Sequence, residues 1–395
     1  MLWAGNAASQ FGTKIGGIAT ALLAVNVLAA TAFQVGVLNA VQNVGLLVFG
    51  LPAGAWIDRI RRRRLLISMD LTRAVLFATI AVAGWLSLTS YGQLVLVVLG
   101  VGIASVFFDV AYLSYLPSLV GRNQLMEGNA KLQAAQSVAV VGGPAVGGGL
   151  VSAIGATNTV LATSLGFVIS AMQIGRIRTV EPMPERPERP NLRAEIAEGL
   201  RLLFSRPALR AIALCTSTIN FFLAAFTTLN VLFLTRVVGL SSAATGAVLT
   251  SAGVGGLVGA MVGIRFADRV GRTRGVWLSL LCTQPFALLL PLTEPGWRLA
   301  FFAVGWFTVG LGSTLYNIAQ VTYRQAVCPD RILGRINASN RFVVWGTLPL
   351  GSLTAGALGS WIGIRGALWL AAAGMLSGVL WLIFSPLRSG QDAQV

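Results

Sequence analysis

The chain has 395 residues, of which 55% are hydrophobic and only 11% are charged, and its mean hydropathy is +0.76. Soluble globular domains carry roughly 25% charged residues, so the composition excludes an ordinary soluble protein and predicts a polytopic membrane protein. The net charge of +16 is compatible with nucleic-acid binding, but the sequence shows no nucleic-acid-binding module.

Apolar runs long enough to cross a bilayer recur along the whole chain. A helical span needs about 20 mostly apolar residues, and twelve such runs are present. They cover residues 2–27, 33–57, 65–88, 93–119, 131–154, 159–178, 210–235, 242–265, 275–291, 298–322, 335–358 and 365–384. The first run begins at residue 2 without a separate cleavable signal pattern. The sequence therefore predicts an all-α membrane protein with twelve transmembrane helices.

The basic residues are distributed unevenly over these twelve spans. If both termini are cytoplasmic, 25 of the 29 Lys and Arg residues lie in cytoplasmic loops or the adjoining helix ends. Arg236, Arg298 and Arg365 lie on the other side, and Lys14 lies inside the first span. This asymmetry follows the positive-inside rule and predicts cytoplasmic termini. Together with contacts to anionic lipid, it explains the positive charge without nucleic acid as a partner.

The absence of certain residue types and motifs excludes several classes of function. The chain has no histidine, which excludes histidine-based catalytic triads, histidine metal sites and histidine proton relays. No phosphate-binding G-x-x-x-x-G-K-[ST] loop occurs, so the chain carries no nucleotide-driven pump of its own. Cys215, Cys282 and Cys328 lack metal-ligand spacing and are predicted to be packing residues. We therefore expect neither an enzyme nor a cofactor or metal site.

Two pairs of similar segments indicate an internal repeat. WIDRIRRRR, which contains Asp58, is similar to FADRVGRTR, which contains Asp268 and lies 210 residues later. FFDVAYLSYLPSLVGRNQLMEGNA is similar to LYNIAQVTYRQAVCPDRILGRINA at a shift of 208 residues, which pairs Asp109 with Asn317. Two matches at nearly the same shift predict two related halves.

The repeat sets the predicted domain organisation. Because six spans return the chain to its starting side, the halves have the same orientation, with six-helix bundles at residues 1–178 and 210–395. Parallel halves around a midplane cavity are typical of alternating-access transporters. The linker, residues 179–209, combines a stretch of alternating Pro and Glu with NLRAEIAEGLRLLF, which predicts an amphipathic helix on the cytoplasmic membrane face. We expect this linker to act as a simple tether.

Two motifs resemble signatures of the major facilitator superfamily. GAWIDRIRRR (54–63) resembles the loop 2–3 signature G-x-x-x-D-R-x-G-R-[RK], with Arg61 in place of the second glycine. VGGPAVGGGL (141–150) resembles the span 5 exporter signature G-P-x-x-G-G. The chain is similar to the bacterial efflux branch that includes macrolide-efflux-like and enterobactin-exporter-like proteins. It departs from many proton-coupled exporters of the superfamily in lacking an arginine inside span 4.

The resemblance implies roles for both motifs. Asp58 is expected to cap the start of span 11 near Gly334 and Arg335, and Asp268 the start of span 5 near Asn129, which would favour the outward-facing state. The full gating signature is Gly54, Asp58, Arg59, Arg62, Arg63, Asp268, Arg269, Gly271 and Arg272. The small residues of span 5 are expected to shape the seam between the halves; they are Gly143, Pro144, Gly147 and Gly148.

Lys14 and Asp109 are charges inside predicted spans. At about 1.5 Å per residue, Lys14 lies ~18 Å and Asp109 ~16 Å from the cytoplasmic surface. An isolated charge at such depth costs at least about 2.5–3.5 kcal/mol, so Lys14 is expected to face Asp109 or cavity water. The pair could be a static bridge, a substrate anchor or a proton-coupling site. A second pair, Asp70 and Arg73, is predicted nearer the cytoplasmic surface, supporting loop 2–3.

These features predict a secondary active exporter of small apolar or amphipathic molecules, drug-like or siderophore-like, in a bacterial cytoplasmic membrane. Protons are the predicted coupling ion, and we expect a monomer. The alternatives are a metabolite importer on the same fold and a non-transporting membrane sensor; only the resemblance favours export. The predicted cavity-lining residues are Asn6, Gln10, Tyr112, Asn220, Tyr316, Asn317 and Gln320.

Overall fold

The computed structural model describes residues 2–57, 60–119, 125–177, 200–201, 203–328 and 330–388, and the secondary structure in these ranges is helical. The first four helices are α1 (Leu2–Leu22), α2 (Ala32–Ile57), α3 (Arg62–Trp85) and α4 (Tyr91–Leu119). The next helix, Leu125–Gly175, is interrupted at Gly155, where φ is 82° and ψ is 161°. We therefore divide it into α5 (125–154) and α6 (156–175).

The described residues of the second half also form six long α-helices. They are α7 (Pro207–Leu232), α8 (Ser242–Val270), α9 (Arg272–Thr283), α10 (Leu299–Val327), α11 (Asp330–Trp361) and α12 (Ile364–Ile383). A 3₁₀ helix, Gln284–Leu292, continues α9. Its second residue is a proline, which lacks the N–H that an α-helical continuation would use.

The helices have the length and hydropathy of membrane spans. Among the described residues, ten helices meet both criteria. One of them, Lys131–Gly175, is 45 residues long and comprises two passes because Gly155 breaks it; α1, with 21 residues, is not among the ten. The predicted all-α membrane fold is confirmed, and the described helices are consistent with twelve spans.

The same backbone irregularities recur in both halves. A π-helical turn at Leu23–Val27 ends α1, and another at Phe233–Val237 ends α7, 210 residues later. Gly155 and Gly363 both have positive φ, 82° and 81°, and lie 208 residues apart. These are the two shifts found in the sequence, so the helical backbone supports the internal repeat. The domain boundaries stay a prediction, since residues 178–199 of the linker lie outside the described residues.

The chain forms two compact units. The first contains residues 1–189 with Leu240–Thr250, and the second contains Pro190–Gly239 with residues 251–395. In the first unit, α1 packs on α5 and α6, α2 packs on α4, and α3 packs on α4 and α6. In the second unit, α7 packs on α11 and α12, and α9 packs on α10.

Glycines allow the closest helix crossings. A Cβ added to Gly102 of α4 would lie 2.6 Å from the carbonyl oxygen of Gln42 in α2, and one added to Gly45 would lie 2.9 Å from the amide nitrogen of Ile103. In the second unit, Gly255 and Gly310 bring α8 and α10 still closer together, against the backbone of Phe307 and Ala252. Each of these two glycines lies one repeat after its counterpart. Small residues let helix backbones touch where lipid supplies no hydrophobic driving force.

Gly102→Ala should lower thermal stability, because the new methyl group meets a backbone carbonyl that no side-chain rotation can move. Overpacking of this kind costs about 1–3 kcal/mol. Gly149→Ala is the matched control: no atom lies within 4 Å of its added Cβ, and Ala favours a helix over Gly by about 1 kcal/mol. Thermal unfolding of both variants in the same detergent decides this. Equal midpoints would contradict the close crossing of α2 and α4.

Candidate functional site

A buried ion pair lies in the interior of the first unit. Asp70 and Arg73 of α3 are one helical turn apart, and the guanidinium donates a hydrogen bond to the carboxylate. Their side chains are 0% and 2% exposed. The predicted pair therefore forms and is enclosed by neighbouring helices; its support of loop 2–3 stays a prediction.

Three serines add hydrogen bonds to the pair, and only the Nε atom of Arg73 has no partner among the described residues. Ser9 of α1 donates to Oδ1 of Asp70 at 3.3 Å, and Ser170 of α6 donates to Oδ2 at 2.6 Å. Arg73 also donates to the hydroxyl oxygens of Ser9, at 3.0 Å, and of Ser105 in α4, at 3.5 Å. A buried ion pair is tolerated only when such bonds satisfy its remaining polar atoms. The cluster thereby joins α1, α3, α4 and α6.

Two aromatic rings fix the guanidinium of Arg73 from the sides. Its central carbon lies 4.3 Å from the ring centroid of Phe108 in α4 and 4.5 Å from that of Phe167 in α6. Cation–π contacts of this kind strengthen when water is excluded. A planar guanidinium can stack on aromatic rings while its edge donates hydrogen bonds, which a lysine ammonium cannot do. The arrangement is therefore specific for arginine.

Asp109 follows Phe108 in α4 and has a different environment. Its side chain is exposed, and it interacts electrostatically with Arg73 and Lys14. Among the described residues, it forms an ion pair with neither. A charge facing hydrocarbon is costly, so we expect the exposed side of this carboxylate to face water rather than lipid.

Lys14 of α1 is half-buried and lies against α5. Gly143 faces the Cβ and Cγ atoms of Lys14 so closely that a side chain at residue 143 would clash. One turn later, a Cβ added to Gly147 would lie 3.3 Å from the Cα of Ile15. Two of the predicted seam glycines therefore make room for α1 and for its lysine.

The remaining members of the span 5 motif contact the segment Leu240–Thr250, which belongs to the same compact unit. A Cβ added to Gly148 would lie 2.9 Å from the Cα of Gly246, and the carbonyl of Pro144 faces that same residue. Close packing by these residues fits the predicted seam role, which stays a prediction.

A cavity lies beside the charged residues of the first unit. It is enclosed by α1, α2 and α4, with Phe77 of α3. Its polar lining residues are Thr13, Thr20, Asn39, Gln42 and Ser105. Because Ser105 also accepts the hydrogen bond from Arg73, the cavity reaches the ion-pair cluster. The sequence analysis missed these residues because uncharged hydroxyl and amide groups are not distinctive in an apolar span.

The corresponding region of the second unit is polar, and its buried charge Arg324 lies within electrostatic range of Tyr316. The hydroxyl groups of Tyr316 and Thr216 are 2.6 Å apart, and Tyr316 donates to the carbonyl of Ile212 at 3.2 Å. Gln320 donates to Oδ1 of Asn317 at 2.9 Å. Asn317 is exposed, like its repeat counterpart Asp109. The two halves thus have an exposed polar side chain at the same repeat position, an aspartate in the first half and a neutral asparagine in the second.

The other predicted cavity residues have mixed environments. Asn6 and Tyr112 are buried, and neither the Oδ1 atom of Asn6 nor the hydroxyl of Tyr112 has a hydrogen-bond partner among the described residues. Gln10 and Asn220 are half-buried. None of these four lines the cavity of the first unit, so their role as cavity-lining residues stays a prediction.

The loop signature is partly described. Asp58 and Arg59 lie outside the described residues. The side chains of Asn129 and Arg335, and the surroundings of Gly334, are not described either. The capping contacts therefore stay a prediction. Gly54 lies in α2, and Arg62, in the first turn of α3, is half-buried.

Arg63, in the first turn of α3, has a structural role. Its guanidinium donates to the carbonyl of Ile174 at 3.4 Å and to that of Gly175, at the end of α6. A cation there hydrogen-bonds carbonyls of the last helical turn and complements the helix dipole. Arg63 therefore holds the start of α3 against the end of α6.

In the repeat of this loop, Asp268 and Arg269 are exposed near the end of α8. Gly271, with φ of 88°, turns the chain into α9 at Arg272. This left-handed conformation favours glycine.

Asp70→Asn should strongly destabilise the protein, because it leaves Arg73 as an uncompensated buried charge. Breaking such a pair costs about 3–5 kcal/mol. The double change Asp70→Leu with Arg73→Met should cost less, because no buried charge remains. Glu294→Gln is the control, since its ion pair with Arg298 is exposed and such pairs contribute about 0–1 kcal/mol.

Thermal unfolding in detergent measures these effects. An Asp70→Asn variant that loses no more stability than Glu294→Gln would contradict the structural role of the pair.

The chain matches the Major Facilitator Superfamily over residues 2–345. It is 28% identical over 367 residues to the multidrug efflux pump Tap of Mycolicibacterium fortuitum, covering 87% of this chain and 85% of the relative. It is 27% identical over 298 residues to the enterobactin exporter EntS of Escherichia coli O1:K1, covering 74% and 68%.

Among solved structures, a bacterial homologue of the iron transporter ferroportin in its inward-facing state has a TM-score of 0.76 at 14% identity, covering 100% of this chain and 98% of that one. A bacterial homologue of the lysosomal transporter Spinster, inward-facing and occupied, has a TM-score of 0.75 at 15% identity, covering 99% and 97%. At these identities the likeness shows the fold alone. With the family match covering most of its length, the chain belongs to the Major Facilitator Superfamily and is a membrane transporter rather than an enzyme.

Proposed function

We propose that this transporter exports small apolar or amphipathic molecules in exchange for protons, with Asp109 as the proton-binding group. The observation that carries the proposal is the exposed Asp109 carboxylate inside α4, within electrostatic range of Lys14 and Arg73. Intramembrane carboxylates commonly mark proton relays or substrate pathways. Export is supported by the names of two relatives, a multidrug efflux pump and an enterobactin exporter.

The two membrane carboxylates of the first unit have different environments, which suggests different roles. Asp70 is fully buried and accepts hydrogen bonds from Ser9, Ser170 and Arg73, which hold it in a fixed ion pair. Asp109 is exposed and makes no hydrogen bond to a described residue. Different environments let two carboxyl groups divide their roles within one site. Asp109 is therefore the group that can exchange a proton with water.

Charge balance links protonation to cargo. Lys14, Asp70, Arg73 and Asp109 together carry no net charge when all are ionised. A proton on Asp109 leaves the group with one net positive charge, and a charge change in a poorly screened interior acts over several ångströms. The added positive charge would also weaken the contact of Asp109 with a polar group of the cargo, so that the proton and the cargo would compete. Proton binding and cargo binding would then influence each other at one place.

Asp109→Asn should abolish substrate accumulation driven by a pH gradient in proteoliposomes while leaving exchange between equal substrate pools largely intact. Exchange need not change the protonation state, and Asn keeps the size of the side chain. The substrates come from a susceptibility and accumulation screen in an efflux-deficient bacterium, covering macrolides, catecholate siderophores and endogenous metabolites. Glu294→Gln, which neutralises an exposed carboxylate, is the control and should accumulate substrate normally.

Parallel assays on Lys14 variants separate the other roles of the pair. If the pair holds cargo, Asp109→Asn and Lys14→Met both weaken substrate binding itself. If it is a static bridge, each single change lowers stability, and Lys14→Met with Asp109→Leu restores it. The second pattern contradicts proton coupling at Asp109, whereas the first is compatible with it because one carboxylate can contact cargo and bind a proton in turn. A Lys14→Met variant that is silent in binding, driven transport and stability would exclude a functional role for the lysine.

We also propose that Asp58 stabilises the state closed to the cytoplasm. Asp58→Asn should then reduce transport more than Arg64→Gln, because only the first change removes a closed-state contact with a helix start. Arg64, in the first turn of α3, is exposed and serves as the control. Transport rates normalised to protein level are compared. Equal, small effects would reduce the loop to a topology signal.

A further inference from the structure

A groove between α7 and α12 opens at the membrane surface where α7 begins and α12 ends. Pro207, Arg210, Ala211 and Leu214 form one wall. Ser377, Leu380, Trp381, Phe384, Ser385 and Pro386 form the other. Below the groove the two helices are in close contact, because Trp381 donates to the hydroxyl of Thr218 at 3.2 Å and Gly378 lies against Ile219. The distribution of basic residues predicts that this surface is cytoplasmic.

The polarity of the groove changes along its length. Arg210 and Ser385 lie at its mouth, while Leu214 and Leu380, each about one helical turn further in, make its inner part apolar. Phe384 is 82% exposed and Trp381 is 47% exposed at the level between them. Aromatic side chains at this level are typical of the interface between headgroups and acyl chains. A ligand that fits both regions has a polar head and an apolar tail.

The charge at the mouth is positive, and no described residue neutralises it. None of the ten residues that line the groove is acidic. Arg206, one helical turn before Arg210, and Arg388, two residues after Pro386, are both exposed. No described residue forms a hydrogen bond or ion pair with the guanidinium of Arg210. Because a guanidinium binds phosphate through paired hydrogen bonds, the groove is complementary to a phosphate-bearing head.

From these observations we infer that the groove between α7 and α12 binds an anionic phospholipid of the surrounding leaflet, with Arg210 contacting the phosphate. The acyl chains would pack on Leu214, Leu380 and Phe384. This inference does not depend on the transported substrate or on proton coupling. A lipid held there would contact α7 and α12 of the second unit together, so it would stabilise their packing at the membrane surface.

Thermal unfolding of the full chain in detergent supplemented with phosphatidylglycerol or phosphatidylcholine tests the inference. Phosphatidylglycerol should raise the unfolding midpoint of the wild type more than phosphatidylcholine does at equal concentration. Arg210→Gln should weaken the apparent affinity for phosphatidylglycerol about fivefold, the effect expected for one arginine at an anionic membrane surface. Arg236→Gln, at the opposite end of α7 and exposed, is the matched control and should behave as the wild type.

A further measurement distinguishes the binding of a lipid from the binding of a free anion. Glycerol phosphate, which carries the head without the chains, should give no comparable stabilisation. Phe384→Ala should weaken the phosphatidylglycerol effect while leaving the protein folded, because the ring is 82% exposed. Equal stabilisation by both lipids, an unchanged Arg210→Gln response, an equal loss in Arg236→Gln, or an equal effect of glycerol phosphate would each overturn the inference.

Discussion

The first half of the protein depends on placing charge inside the membrane at tolerable cost. Asp70 and Arg73 are excluded from water, yet the bonds to Ser9, Ser170 and Ser105 and the flanking rings of Phe108 and Phe167 replace their hydration. These partners lie on three other helices, so the ion pair can remain buried only when the helices pack correctly. A fixed pair also gives the neighbouring Asp109 a permanent positive charge to interact with.

The internal repeat preserves backbone shape and leaves the chemistry free to diverge. The π-helical turns, the positive-φ glycines and the glycine crossings recur at shifts of 208 to 210 residues. The charge at equivalent polar positions differs between the halves. Asn317, which contacts Gln320, takes the place of Asp109. The hydroxyl groups of Tyr316 and Thr216 supply further polarity. Functional asymmetry therefore lies in a few side chains within similar scaffolds, with ionisable groups concentrated in the first.

Much of the scaffold was predictable, because hydropathy, loop charge and the repeated motifs depend on local sequence. The carboxylate of Asp109, the lysine beside it and the glycines of span 5 were also recognisable, since charge and small size are unusual inside a span. The enclosure of Asp70 and Arg73 was not, because burial depends on Ser9 and Ser170, which lie about 60 and 100 residues away in sequence. Neither was the cavity lined by Asn39 and Gln42, because amide groups become informative only when other helices surround them.

The central claim is that a proton and the cargo compete for Asp109, while Asp70 stays in its ion pair with Arg73. Proton release on substrate binding, followed with a pH indicator in weakly buffered detergent, tests this claim most directly. Saturating substrate should release protons from the wild type and none from Asp109→Asn, even where that variant still binds. Undiminished proton release from Asp109→Asn would contradict the account, because the titrating group would then lie elsewhere in the chain.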